Sequence, residues 1–111
     1  MLTLTLQSIL QTIVCRIMMI TLPKLFYKHK ESGLLRIEEA FGIILQKHRT
    51  SSNISQEKLA LNSGLDRTYI SLLERGKRKP TINTIFSLSS TLNIRPTVLI
   101  QEVEELILNS N

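Results

Sequence analysis

Cationic side chains concentrate between residues 58 and 79, and the chemistry open to them is the binding of anions. Such side chains neutralise phosphate groups through contacts that weaken as salt is added. Over residues 36–80 nine basic residues stand against five acidic ones, whereas the chain after residue 96 has three acidic residues and no basic one. The positive charge therefore belongs to the middle of the chain. The cations of this stretch are Lys58, Arg67, Arg75, Lys77, Arg78 and Lys79.

The charge balance favours an anionic partner but does not say which kind. A net charge of +5 and a pI near 9.7 suit both nucleic acid and an anionic membrane surface. Catalysis has little support, because His29 and His48 lie in different local contexts and the sequence has neither a glycine-rich phosphate loop nor paired carboxylates beside a base. We expect no enzyme activity, no small-molecule substrate and no cofactor.

The number of cysteines and the chain length limit the kinds of fold and site that are possible. Cys15 is the one cysteine, so an intrachain disulfide is excluded, a Cys/His metal site is not expected, and the reducing cytoplasm is the expected location. A chain of 111 residues has room for one domain whose core can fold without disulfides or metals.

Residues 55–75 have the length, and the helix-capping and turn residues, of two short helices joined by a tight turn. Ala60 is small where two crossing helices would approach each other. Gly64 can adopt a positive φ and end the first helix, and Asp66 can cap a second helix that begins at Arg67. These features predict a helix-turn-helix. Its inward side chains would be Leu59, Ala60, Leu65, Ile70 and Leu73.

In a helix-turn-helix the second helix, here predicted over residues 67–75, presents its N-terminal part to base edges in the DNA major groove, and the first helix crosses the backbone. Arg67 is the first candidate for base contact, because a guanidinium can bond both acceptors of guanine. Gln56 opens the first helix, where its side chain and backbone N–H could donate to phosphate. Surface solubility is the alternative role for each candidate. The candidate DNA-binding residues are Ser55, Gln56, Lys58, Arg67, Thr68, Tyr69, Ser71, Arg75, Lys77, Arg78 and Lys79.

The stretch from Phe41 to Leu99 resembles the Xre or Cro/repressor class of bacterial helix-turn-helix regulators. The resemblance lies in LDRTYISLLERGKRKP and the following TINTIFSLSSTLNI, and restriction-modification controller proteins, phage repressors and antitoxins share this pattern. It implies an all-α, five-helix lambda-repressor-like domain that regulates transcription by binding double-stranded DNA as a homodimer. It also implies an ion pair between Arg49 and Glu74. A protein-interaction or antitoxin-type adaptor with the same fold and weak or no DNA binding remains the alternative.

An amphipathic helix is predicted before the motif, from about residue 35 to 49. His48 on this helix is open to two interpretations, a pH switch or a half-buried histidine bonded to a nearby carbonyl. Asn53 stands where glycine commonly ends this helix, and asparagine tolerates the left-handed conformation better than most residues. The side chains expected to face the core are Ile37, Phe41, Ile44, Leu45 and His48.

Two further helices are predicted after the motif. Gly76 should end the second helix of the motif, and Thr81 should cap a fourth helix through about Leu92, whose apolar positions are Ile82, Ile85, Phe86, Leu88 and Leu92. A fifth helix over residues 97–108 has more apolar residues than one small domain needs, so we expect it to form a two-fold interface that spaces two recognition helices one DNA turn apart. A monomer that buries these residues against its own first helix is the alternative. The expected interface residues are Val98, Leu99, Val103, Leu106 and Ile107.

The chain is divided into a DNA-binding domain, residues 34–109, and an N-terminal extension with a basic linker, residues 1–33. The first 22 residues are apolar except for Arg16 and several polar side chains, and they fit neither a secretory signal nor a membrane span. Three interpretations stay open: a dispensable leader with translation starting at Met18 or Met19, a helix packed on the domain or a partner, and membrane contact of residues 2–20, which is not the expected one.

Overall fold

The computed structural model describes residues 35–110, which form five helices. No strand occurs in this part of the chain, so the predicted all-α, five-helix fold is confirmed. The predictions about the extension, residues 1–33, its linker and the translation start lie outside the described residues. The helices are α1 (Ile37–Ser51), α2 (Gln56–Ser63), α3 (Arg67–Glu74), α4 (Ile82–Thr91) and α5 (Pro96–Asn109).

Side-chain caps fix where three of the helices begin. The Ser55 hydroxyl accepts from the backbone N–H of Lys58 at 3.0 Å, which caps α2. The Asp66 carboxylate accepts from the N–H of Thr68 at 3.2 Å, and the Thr81 hydroxyl caps α4 in the same way. Each cap satisfies a donor that a helix start leaves without an intrahelical partner. The predicted caps at Asp66 and Thr81 are confirmed.

Residues in the left-handed conformation end the first three helices. Asn53 has φ 57°, Gly64 φ 73° and Gly76 φ 70°. After α3, the N–H of Gly76 donates to the carbonyl of Leu73 at 3.1 Å and the N–H of Lys77 to that of Leu72 at 2.9 Å, which is a Schellman motif. The predicted helix ends at Asn53, Gly64 and Gly76 are therefore confirmed.

The hydrophobic core lies where α1 packs on α3 and α5, and where α4 packs on α2 and α5. Of the side chains predicted to face inward from the motif, Leu59, Ala60, Ile70 and Leu73 are buried and Leu65 is half-buried against them. The largest fully buried side chains are Phe41, Leu45, Leu59, Ile70, Leu73, Leu88 and Leu99.

Gly42 marks the closest approach between helices. A Cβ atom there would lie 2.4 Å from the carbonyl oxygen of Leu73 and 2.6 Å from that of Glu74. Both atoms are backbone, so neither can rotate away. The end of α3 therefore packs directly on the backbone of α1, a contact that the sequence analysis missed.

Three apolar residues of α1 and α4 are exposed, and one of them, Ile37, was predicted to face the core. Ile37 is 61% exposed at the first position of α1, and Ile82 and Phe86 are 71% and 57% exposed on α4. The buried residues of α4 are Thr84, Leu88 and Ser89. Ile82 and Phe86 are one helical turn apart on another face, which leaves them uncovered.

Candidate nucleic-acid interface

The N-terminal end of α3 is exposed to solvent. Arg67 and Thr68 are exposed, whereas Ile70 and Leu73 are fully buried and hold the helix on the core. Tyr69 and Ser71 are half-buried, and the Tyr69 hydroxyl lies 3.4 Å from the Thr84 hydroxyl on α4. The helix thus presents a guanidinium and a small hydroxyl side chain at its start.

A buried ion pair ties α1 to α3, as the family resemblance implied. The Nε of Arg49 donates to Oε1 of Glu74 at 2.5 Å and its Nη2 to Oε2 at 3.2 Å. A third donor of the same guanidinium, Nη1, reaches the carbonyl of Ile54 at 2.9 Å. Because both charged groups are largely buried, removing one alone would leave an uncompensated charge. The predicted Arg49–Glu74 pair is confirmed.

The side chain of Gln56 is engaged inside the protein. Its Nε2 donates to Oε2 of Glu74 at 2.7 Å, whereas the sequence suggested that it would bond phosphate. The backbone N–H of Gln56 stands at the first position of α2, where a helix has no internal acceptor. Lys58 is exposed in the same first turn of α2.

The turn after α3 displays a run of cations. Lys77, Arg78 and Lys79 are exposed, and Arg75 is exposed beside them. None of these four, nor Lys58 or Arg67, pairs with an acidic side chain of residues 35–110. The charge of these six side chains is therefore not neutralised within residues 35–110, and it is available to an anionic partner.

A second charged cluster lies at the contact between α1 and α5. The Nε2 of His48 donates to Glu102, and Nζ of Lys47 reaches the same carboxylate at 3.3 Å. The hydrogen bond from His48 lowers the pKa of the Glu102 carboxyl below its ordinary 4.5; burial opposes the shift and Lys47 adds to it. The partner of His48 is thus a carboxylate on α5, and the predicted bond to a carbonyl is wrong.

Residues 35–110 contain neither a metal-binding cluster nor a membrane-spanning helix. No cluster of His, Cys, Asp or Glu side chains in this range could hold a metal ion. None of the helices described here is long and apolar enough to cross a membrane.

Comparison with known proteins identifies the family. A family model described as helix-turn-helix matches residues 45–99. Control protein C.BamHI of Bacillus amyloliquefaciens is 44% identical over 61 residues, which are 54% of this chain and 75% of that protein. This chain belongs to the Xre-type helix-turn-helix family.

Solved structures agree with the family assignment. The restriction-modification controller protein C.AhdI from Aeromonas hydrophila is 42% identical, with a TM-score of 0.55 over 56% of this chain and 94% of its own. The controller protein C.Esp1396I, solved as a tetramer with its natural 35 base-pair operator, is 31% identical. Its TM-score is 0.61, over 67% of this chain and 97% of its own.

The expected dimer residues of this helix-turn-helix protein occupy different environments. Leu99 and Val103 are buried in the core of the protomer, and Leu106 and Ile107 pack against that core. Val98 is 41% exposed. The prediction that Leu99 and Val103 lie in a dimer interface is therefore corrected. Their side chains are not accessible to a partner, because α5 packs on α1 of its own protomer.

An exposed apolar groove between α4 and α5 is the surface that the sequence analysis missed. It is lined by Ile82, Ile85, Phe86 and Ile100, with the polar side chains of Gln101 and Glu104 at its border. In the sequence, Ile82 and Phe86 are four residues apart and so share a helix face, but the spacing does not show that this face is left uncovered.

Proposed function

We propose that this chain binds double-stranded DNA sequence-specifically as a homodimer and thereby regulates transcription, as a restriction-modification controller protein does. The observation that carries the proposal is the open start of α3 within a helix-turn-helix whose surrounding cations have no acidic partner among residues 35–110. The similarity to C.Esp1396I, whose tetramer was solved on an operator, supports it.

Base readout is assigned to the first turns of α3. Arg67 is exposed and is not held by an acidic neighbour in the described part of the chain, so its guanidinium can turn to a guanine edge. Thr68 and Ser71 would contact base edges or a thymine methyl. Tyr69 is half-buried with its hydroxyl near Thr84, so only part of its side chain is accessible to DNA.

Phosphate contacts are assigned to both ends of the motif. At the start of α2 these are the Ser55 hydroxyl, the backbone N–H of Gln56 and the Lys58 ammonium. At the end of α3 and in the turn that follows, they are the side chains of Arg75, Lys77, Arg78 and Lys79. The two groups would hold α3 in the major groove between them.

The dimer surface is assigned to the groove between α4 and α5. Ile82, Phe86 and Ile100 are large apolar side chains exposed together, which is typical of a protein contact rather than of a free surface. A second copy of this chain is the proposed occupant, because the operator complex of C.Esp1396I is a tetramer. Of the interface positions taken from the sequence, Val98 is the one with a freely exposed side chain.

We also infer a cytoplasmic location, the absence of enzyme activity, and the division into an extension (1–33) and a domain (34–109). The family of DNA-binding regulators supports the first two. For the division, a chain lacking residues 1–17 should keep the DNA affinity of the full chain. If this deletion reduces DNA affinity or solubility, the extension is instead required for the function of the protein.

A titration of a random-sequence duplex with the purified protein, repeated at several salt concentrations, tests whether the chain binds DNA at all. Six or so phosphate contacts predict an affinity that falls about a thousandfold between 50 mM and 200 mM salt. The alternative, a protein-interaction adaptor, predicts weak binding that does not respond to salt. Enzyme assays are not needed to separate the two.

A further inference from the structure

The start of α1 lies beside the cationic turn that follows α3. A Cβ atom built on Gly76 would lie 3.0 Å from the Cα of Glu39, so the backbone of this turn packs against the first turn of α1. The cations of the cationic turn follow directly, at residues 77–79. The chain that precedes α1 therefore leaves the domain close to the surface that is proposed to face the DNA backbone.

Three more lysines stand in that preceding chain, which lies outside the described residues. They are Lys24, Lys28 and Lys30. Lys30 is five residues from Leu35, where the described part of the chain begins. An extended chain spans at most about 3.5 Å per residue, so Lys30 can reach about 17 Å from that point. The cationic turn, which packs on the first turn of α1, lies within this reach.

The acidic side chains at the start of α1 are already engaged within the domain. The Nε of Arg36 donates to Oε1 of Glu39 at 2.7 Å and lies 3.8 Å from Oε1 of Glu38. The cations at residues 77–79, in contrast, have no acidic partner among residues 35–110. A lysine that approaches this end of the domain therefore meets more positive than negative charge. A phosphate placed here would offer it a counter-ion that the domain does not.

We propose that Lys24, Lys28 and Lys30 form an additional phosphate-binding segment, which binds the DNA backbone beside the phosphates held by the cationic turn. This inference rests on the proposed function and goes beyond it, because the phosphate contacts of that proposal all lie between residues 55 and 79. Phosphate contacts carry no sequence information. The segment should therefore add similar affinity for every duplex and leave the preference for one sequence over another unchanged.

The test compares the full chain with a glutamine variant that carries Lys24→Gln, Lys28→Gln and Lys30→Gln. A random duplex is titrated at salt concentrations from about 50 to 200 mM. Each phosphate contact contributes about 0.9 to the slope of log affinity against log salt, so the glutamine variant should lower the salt slope by about 2 to 3. Lys47→Gln is the control and should keep the wild-type slope, because Lys47 lies near the other end of α1 and pairs with Glu102.

An arginine variant separates the charge of these positions from any other role. Replacing the same three lysines by arginine keeps the charge and should keep the wild-type salt slope. The ratio of affinities for a duplex selected by the wild type and for a random duplex should be the same in all three proteins. An unchanged slope in the glutamine variant would overturn the inference, and so would a loss of affinity confined to the selected duplex.

An anionic membrane surface is the other partner that lysines beside an apolar stretch could bind, and residues 1–22 are such a stretch. Binding of the wild type and the glutamine variant to phosphatidylglycerol vesicles is therefore measured beside the DNA titrations. Loss of vesicle binding with an unchanged DNA salt slope would place the lysines on a membrane and overturn the inference. If the wild type itself binds the random duplex weakly and without response to salt, the proposed function fails, a result that appears before any variant is made.

Discussion

At the scale of single residues, Gly42 and Gly64 show two different uses of glycine. Gly42 is required by space, since the backbone carbonyls of Leu73 and Glu74 lie where a Cβ would be. Gly64 is required by conformation, since its φ is 73° but nothing lies within 4 Å of a Cβ built there. The first requirement comes from contacts between residues 31 and 32 positions apart in the chain, which no local pattern reveals. The second comes from the turn itself and was predictable.

Gly42→Ala should be the more damaging of the two substitutions. The added methyl would overlap two backbone oxygens, so we expect the unfolding free energy to fall by about 3 kcal/mol. Gly64→Ala is the control and should cost about 1 kcal/mol, because only its left-handed conformation is strained. Urea unfolding followed by circular dichroism measures both. A Gly42→Ala protein as stable as Gly64→Ala would contradict the close approach of α1 and α3.

Arg67 and Lys77 should separate base readout from phosphate binding. Arg67→Ala should weaken binding to a selected duplex by about 1–3 kcal/mol and relax the preference at one base pair in each half-site. Lys77→Ala, the matched loss of a cation, should weaken binding to all sequences similarly and lower the salt slope by about one. Affinities for a panel of single-base variants of the duplex measure both effects. An unchanged base preference in Arg67→Ala would remove Arg67 from the readout.

At the scale of elements, the helix boundaries were predictable and the orientation of the outer helices was not. Asp66, Thr81 and Gly76 act within one turn of their own position, so their roles follow from residue type and spacing. The exposure of Ile82 and Phe86 and the burial of Leu99 depend on which faces meet in three dimensions. An apolar stripe on α4 or α5 suits the core and a dimer interface equally well, so the spacing of its residues does not decide between the two.

The contact between α1 and α5 should make stability depend on pH. Because His48 lowers the pKa of the Glu102 carboxyl in the folded state, the carboxylate stabilises the protein above the ordinary pKa of 4.5. That contribution is lost as the pH falls through the lowered pKa. Wild type should therefore be more stable than Glu102→Gln at about pH 6, and the two should converge in more acid solution.

Urea unfolding at a series of pH values measures this dependence, with Glu105→Gln, an exposed carboxylate on the same helix, as the control. The control should follow the wild-type curve throughout. A constant difference between wild type and Glu102→Gln down to the most acid pH would show that the carboxylate charge is not what stabilises the contact.

At the scale of the whole molecule, Phe86→Glu should dissociate the proposed dimer. A carboxylate in the groove between α4 and α5 would have to be desolvated on association, so we expect self-association to weaken about 30-fold. Ile43→Glu, at an exposed apolar residue of α1, is the matched control and should leave the dimer intact. Sedimentation over a range of concentrations measures both. A dimer that survives Phe86→Glu would place the interface on another surface.

Sequence-specific DNA binding is tested most directly by selecting bound sequences from a random duplex pool. The affinity for the most enriched duplex is then measured at several salt concentrations. A dimer that places one α3 helix in each of two major grooves should enrich an inverted repeat with half-sites about one DNA turn apart. Affinity for that duplex should fall steeply with salt. No enrichment, with weak binding that does not respond to salt, would contradict sequence-specific DNA binding and favour an adaptor that shares the fold.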